Sequence, residues 1–197
     1  MLHERRLRTY ISLMLEAQQV KALPAKLVSA LRSHLVNDWA LPPAQVRALR
    51  QILADRSIPR LVHEPPQQRV FRGMTVTKAW VTKLARRRTD SMAGSMTLDD
   101  AVFGRTDQAT SWSISKKRAQ DYFYVDARQG LLNVVLSARI DQNPDTFVAC
   151  ASGLYRVPEL SGMRKDKEAI ALGPVKLETL EWSDHGEWFE KMKNSFD

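Results

Sequence analysis

Over residues 2–58 the apolar positions recur at the three- to four-residue spacing of amphipathic helices. The spacing predicts three such helices, with these residues on their apolar faces: Leu7, Tyr10, Ile11 and Met14; Leu27, Leu31 and Leu35; Val46, Leu49 and Leu53. The segments Ser57-Ile58-Pro59 and Glu64-Pro65-Pro66 then break helicity, because proline has no amide hydrogen to donate. We therefore expect a helical segment at 1–60, packed on a second unit at 66–197.

Beyond residue 66 the pattern changes to short apolar runs separated by polar stretches. These runs predict strands at 69–71, 108–114, 131–140, 147–149, 168–172 and 175–182. Val76, Trp80 and Leu84 predict a helix, and Ser115 is a suitable N-cap for another that contains Ala119. The polar, glycine-punctuated residues 89–107 predict a loop. Short strands with helices mostly upstream favour an α+β fold.

The composition indicates the cellular compartment of the protein and the charge of its partners. The 197 residues carry a formal net charge of +8, and the pI is about 9.8, which favours anionic partners such as nucleotides, nucleic acid or acidic proteins. The single cysteine, Cys150, cannot form an internal disulfide and is typical of a reducing cytosol. We find no secretory signal and no run of about 20 apolar residues, so we expect a soluble cytoplasmic protein without membrane contact.

Two common kinds of site are excluded by spacing. The eight glycines never approach G-x-G-x-x-G or a P-loop, so neither a Rossmann-type nor a Walker-type phosphate site is present in the sequence. The four histidines stand far apart, and only one cysteine is present, so we expect no zinc or other metal site.

Three short motifs carry residue types suited to nucleotide chemistry. Phe71-Arg72-Gly73 places a guanidinium, which can bind phosphate or ribose, beside a glycine that admits close backbone approach. In Ser111-Trp112-Ser113, strand alternation puts both hydroxyls on one face and the indole on the other. Asp166 and Glu168 project on the same side of a strand. Taken singly, each motif is better explained without a function: the first by a surface arginine before a turn, the second by a strand end and helix cap, and the third by solvated charge at a strand edge.

Taken in order, these motifs resemble the Arg-Ser-Glu class of mono-ADP-ribosyltransferases over residues 66–182. The resemblance extends to small phage-encoded and bacterial toxin-like members, which also place a helical segment ahead of the Phe-Arg-Gly strand. It implies a split pair of small β-sheets around an NAD cleft. It also implies transfer of ADP-ribose from NAD, without a metal, to a macromolecular acceptor: a protein side chain such as arginine, or a nucleic acid.

The resemblance also implies a role for each matching residue. Arg72 would hold the phosphate and ribose of NAD, and the backbone of Gly73 would meet the nicotinamide amide. Ser111, Trp112 and Ser113 would occupy the three places of the Ser-Thr-Ser motif, with Ser111 bracing the cleft and the catalytic acid. Glu168 would be the invariant glutamate that stabilises positive charge developing on the ribose.

One position departs from the pattern of this family. Where members that modify arginine have Glu, and others Gln, this chain has Asp166, one methylene shorter than Glu. Asp166 would orient or deprotonate the acceptor nucleophile. Residues 151–165 would form the loop that presents the acceptor, with Tyr155 in contact.

Two other functions are compatible with the sequence. The clusters Arg86-Arg87-Arg88, Lys116-Lys117-Arg118 and Arg164-Lys165 would suit a nucleic-acid-binding module without catalysis. Alternatively, the N-terminal helices would form a surface for a protein partner, for example an inhibitor or antitoxin.

Overall fold

The computed structural model describes residues 23–37, 41–54, 61–62, 64–65, 67–86, 93–120, 123, 131–154, 157, 160 and 168–183. They form a mixed α+β fold with a large antiparallel sheet and a small second sheet, which confirms the predicted fold class. The helices are α1 (Ala25–Asn37), α2 (Pro43–Ala54), α3 (Lys78–Ala85), α4 (Lys116–Gln120) and α5 (Ala151–Leu154). The strands are β1 (Arg69–Thr77), β2 (Gly94–Thr97), β3 (Val102–Phe103), β4 (Ala109–Ser113), β5 (Leu131–Arg139), β6 (Phe147–Cys150), β7 (Glu168–Leu172), β8 (Val175–Lys176) and β9 (Thr179–Ser183).

The seven-stranded sheet is joined weakly at its middle. Its strand order is β2-β9-β5-β1-β4-β7-β6, and β3 and β8 form the second sheet. β1 pairs with β5 along its whole length, from Arg69–Arg139 to Thr77–Leu131. With β4, on its other side, β1 has a single register pair, Phe71–Ser113. The sheet therefore consists of two halves, β2-β9-β5-β1 and β4-β7-β6, which are joined by that one register pair.

Each face of the β4-β7-β6 half is buried in a different core. Trp112, Ala169 and Ala171 belong to a cluster that continues across β1, β5 and β9. The alternate residues Ala109, Ile170 and Leu172 pack instead with the leucines of α1 and α2. This alternation follows from the strand period of two residues. The apolar faces of α1 and α2 are consequently covered by the sheet and do not form an open surface for a partner.

The N-terminal pattern predicted the described helices well. Leu27, Leu31 and Leu35 lie on the buried face of α1, and Val46, Leu49 and Leu53 lie on that of α2, as predicted. The first predicted helix and the proposed linker at 55–60 lie outside the described residues. No described helix has the length and apolar character needed to cross a membrane.

Three predictions about the second unit were wrong in detail. Residues 89–107 are not only loop, because β2 and β3 form there by pairing with β9 and β8. Val76 belongs to β1 and not to a helix, since α3 begins after Thr77, whose side chain caps it by accepting from the Trp80 amide. The strand predicted at 175–182 is two strands. The chain passes between sheets at Leu177 and Glu178, whose amides donate to Ala101 and Ser137 carbonyls.

Candidate functional site

The three strands that carry the predicted site residues are neighbours in the sheet. β4 lies between β1 and β7, and the register places Phe71 opposite Ser113 and Ser113 opposite Glu168. Directly opposed residues share a face of the sheet. The side chains of Ser113 and Glu168 therefore lie side by side, and Ser111, two residues from Ser113, lies on the same face.

Arg72 follows Phe71 and so lies on the opposite face. Its guanidinium carbon lies 5.4 Å from the centroid of the Phe103 ring, on the Trp112 side of the sheet. Its Nη1 donates a hydrogen bond to the carbonyl oxygen of Ser111. This bond crosses from β1 to β4 beyond the last register pair, so Arg72 ties the two half-sheets together where their ladder stops. The structure thus brings Arg72 to the backbone of Ser111, but not to the side of the sheet that carries Glu168.

Trp112 packs in the core behind the two serines. Its side chain is 2% exposed, and its ring makes edge-to-face contacts with Phe103 and Phe147, each at 6.0 Å between centroids. The indole Nε1 donates to Thr110 Oγ1 at 2.9 Å. Trp112 therefore anchors β4 in the core, and the indole lies on the opposite face of the strand from the hydroxyls of Ser111 and Ser113.

A histidine that the sequence motifs did not include meets Ser111. His34 on α1 is 5% exposed, and its Nε2 lies 2.8 Å from Ser111 Oγ. The sequence held a signal for this contact, because His34 falls at helical spacing on the apolar face that carries Leu27 and Leu31. A polar side chain on such a face is buried with the rest and requires a hydrogen-bond partner. Ser111 is that partner, 77 residues further along the chain.

The Glu168 carboxyl is deeply buried. Glu168 is 5% exposed, and its Oε2 atom is buried. The opposed Ser113 is also buried, at 6% exposed, and its hydroxyl accepts a hydrogen bond from the Ser115 amide. Buried carboxyl groups are found mainly where a charge has a specific task or partner, since removing a charge from water is costly. The burial distinguishes Glu168 from the solvated strand-edge charge that was the alternative explanation of its motif.

Gly73 permits close packing of α4 on β1. A Cβ atom at this position would lie 1.8 Å from the carbonyl oxygen of Ala119 and 3.2 Å from the ring of Phe123. The backbone of Gly73 is therefore pressed against the helix that follows the serine motif, as close approach at a glycine requires. Asp166 and Tyr155, together with most of the predicted acceptor loop, lie outside the described residues.

Cys150 is buried beside β7 and is not suited to nucleophilic chemistry. Its burial, reinforced by the nearby Glu64 carboxylate, raises the pKa of the thiol well above its usual value of 9.0. The thiol therefore stays protonated at neutral pH, and a protonated thiol is a poor nucleophile.

We expect Cys150 to be unreactive toward a disulfide reagent at pH 8 in the native protein and to react fully in urea. Because the thiol ionises more readily when unfolded, the folded state loses stability as pH rises above about 9, by at most about 1.4 kcal/mol per pH unit. The difference between wild type and Cys150→Ala in urea titrations at pH 8 to 10 measures this contribution. Rapid labelling of the native protein would contradict the expected unreactivity of the Cys150 thiol.

Within the described residues, no group of three or more His, Cys, Asp or Glu side chains is placed to hold a metal ion. The described part of the site contains a guanidinium at the junction of the two half-sheets, a hydroxyl held by a histidine, and a buried carboxyl opposite a second hydroxyl. Comparison of the chain with protein-family models, with curated proteins and with solved structures gives no match in any of the three.

Proposed function

We propose that this protein is a mono-ADP-ribosyltransferase that transfers ADP-ribose from NAD to a macromolecular acceptor and releases nicotinamide. One observation carries the proposal: Arg72, Ser111 and Glu168, far apart in sequence, lie on three adjacent strands at the point where the sheet divides. The division into two half-sheets supports the split arrangement that the sequence resemblance implies. The net charge of +8 supports an anionic substrate.

In this proposal the reaction breaks the bond between ribose C1′ and the nicotinamide nitrogen. The nitrogen keeps the electron pair and leaves as neutral nicotinamide, while an acceptor nucleophile bonds to C1′ and loses a proton. Positive charge develops on the ribose in the transition state. The Glu168 carboxylate, near the ribose, stabilises that charge most when it is largest, which is what accelerates a reaction.

Arg72 would act at a different part of the dinucleotide. The pyrophosphate of NAD is separated from the scissile bond by the ribose. A residue that binds the pyrophosphate therefore need not touch the residue that acts at the scissile bond. The Arg72 guanidinium lies on one face of the sheet, where it donates across the junction of β1 and β4, and Glu168 lies on the other face, beside Ser113. A phosphate bound to Arg72 would fix the position of the ribose relative to the carboxylate.

Ser111 and His34 would shape the site without reacting. The His34 contact holds the Ser111 hydroxyl in one orientation, and the Ser111 carbonyl orients Arg72. Asp166, outside the described residues, would orient or deprotonate the acceptor nucleophile.

The function is tested with NAD labelled in its adenylate phosphate, incubated with the protein and a bacterial lysate. We expect nicotinamide release and transfer of label to a macromolecule. Treatment of the products with protease or nuclease then assigns the acceptor to protein or nucleic acid. Absence of both nicotinamide release and label transfer would contradict the proposal.

Replacement of Arg72 by alanine is expected to weaken NAD binding about tenfold or more, because a charge-assisted hydrogen bond to phosphate is lost. Isothermal titration calorimetry with NAD measures the change. Arg69→Ala is the matched control: Arg69 is on the same strand, but its side chain is largely exposed and pairs with Glu178. Equal NAD affinity in wild type and Arg72→Ala would remove Arg72 from the NAD site.

A further inference from the structure

A groove of about 640 Å³ lies between α3 and residues 101–108. Arg72, Ser111 and Glu168 do not line it, but the ring of Phe103, which does, also contacts the Arg72 guanidinium. Trp80, Lys83 and Arg86 line one wall, and Phe103 and Arg105 line the other. None of the described residues that line it is acidic. The groove therefore combines three cationic side chains with two aromatic rings.

The cations of the groove are open to solvent. Lys83 is exposed in the last turn of α3, and exposed Arg86 ends the helix in the left-handed conformation, with φ of 52°. The Arg105 side chain is 75% exposed and forms an ion pair with Asp107, with 3.0 Å between Nη2 and Oδ2. Exposed cations close together attract a ligand that carries several negative charges along its length.

Two aromatic rings line the groove together with these cations. Trp80 and Phe103 meet edge to face, with 6.4 Å between ring centroids and 71° between ring planes, and both side chains are only partly buried. Val102, which also lines the groove, is 52% exposed, so the groove includes apolar surface that is open to solvent. Partly exposed aromatic surface of this kind suits stacking with a flat ring.

We propose that this groove binds single-stranded nucleic acid, with phosphates at Lys83, Arg86 and Arg105 and an unstacked base against Trp80 and Phe103. Phosphates contribute affinity through the cations, and base stacking on aromatic side chains contributes the rest. A duplex keeps its bases stacked inside and would engage the cations alone. An acidic peptide would also use the cations without the rings. The combination of cations and rings favours a single strand.

The test measures fluorescence anisotropy of labelled dodecamers of deoxythymidine and of uridine with the full-length protein. With about three phosphate contacts, we expect the logarithm of the affinity to fall with the logarithm of salt concentration with a slope of about −2. The double variant Lys83→Gln/Arg86→Gln is expected to bind about tenfold more weakly and to reduce the slope to about −0.7. Trp80→Ala is expected to lose about tenfold in affinity with little change in slope.

The matched control is Lys26→Gln/Arg32→Gln, which removes the same charge from two exposed positions on α1. We expect it to retain affinity within about twofold to threefold, as only long-range attraction changes. Equal weakening by both double variants would overturn the proposal, as would absence of binding by the wild type at low salt. Displacement of the dodecamer by polyglutamate as readily as by unlabelled oligonucleotide would assign the groove to an acidic protein segment instead. The relative affinities of the two dodecamers distinguish RNA from DNA.

Binding of nucleic acid in the groove can be tested independently of the proposed transferase function. Binding of oligonucleotide does not require NAD, so a protein that binds the dodecamer but does not turn over NAD would support the groove and contradict the transferase. Turnover of NAD by a protein that binds no oligonucleotide would do the reverse.

Discussion

Replacement of Glu168 by glutamine is expected to lower the rate of ADP-ribose transfer by about a hundredfold or more while the protein remains folded. The amide is nearly isosteric with the carboxylate, so packing in the β4-β7 region changes little. It carries no charge, so the attraction to the positively charged ribose of the transition state is lost. Because that attraction is strongest in the transition state, we expect the loss mainly in kcat.

Nicotinamide release and label transfer measure the effect, and circular dichroism with urea unfolding checks the fold. Glu178→Gln is the matched control, since Glu178 is a glutamate that pairs with Arg69 at the protein surface. An exposed pair of this kind contributes at most about 1 kcal/mol, so we expect wild-type activity. Transfer by Glu168→Gln at the wild-type rate would exclude Glu168 as the catalytic acid.

Replacement of Trp112 by alanine is expected to have the largest effect on stability, about 3–5 kcal/mol in the free energy of unfolding. The change empties space between Phe103 and Phe147 and leaves the Thr110 hydroxyl without its indole donor. Such a loss is a large part of the stability of a domain of this size. Urea unfolding at 25 °C measures it, with tryptophan-independent circular dichroism as the signal.

Trp112→Phe separates a packing role from a ligand-binding role. The phenyl ring retains most contacts but not the hydrogen bond to Thr110, so we expect a smaller loss of about 1–2 kcal/mol. Because the indole is 2% exposed and packs between Phe103 and Phe147, it is closed to a ligand, and the KM for NAD should be unchanged in this variant. A raised KM with unaltered stability would instead place the indole against NAD, as the sequence motif alone allowed.

Local pattern was sufficient for much of the fold. The apolar spacing predicted α1 and α2, and the short apolar runs predicted β5 and β7 almost to the residue. Pattern failed at β2 and β3, where the polar run Gly94–Thr97 becomes a strand because β9 supplies its hydrogen-bonding partners. It also failed at residue 177, where the chain changes sheets without a glycine or proline to mark the break.

For the candidate site, too, the sequence predicted some features and only the tertiary structure showed others. The residue types and their order along the chain pointed to Arg72, Ser111 and Glu168 before any neighbour relation was known. The order could not show that β4 lies between β1 and β7, or that Arg72 faces the opposite side of the sheet from Glu168. Nor could it pair His34 with Ser111, since these residues share no local pattern.

The sequence by itself determined the α+β class, most helices and strands, the cationic character and the chemical groups available. These depend on periodicity and composition, which act between residues close together in the chain. Tertiary structure alone decided the register, the single pair that joins the two half-sheets, and the contacts of Ser111 with Arg72 and His34. Those depend on packing between distant segments, whose free energies are settled only when the whole sheet and its covering helices assemble.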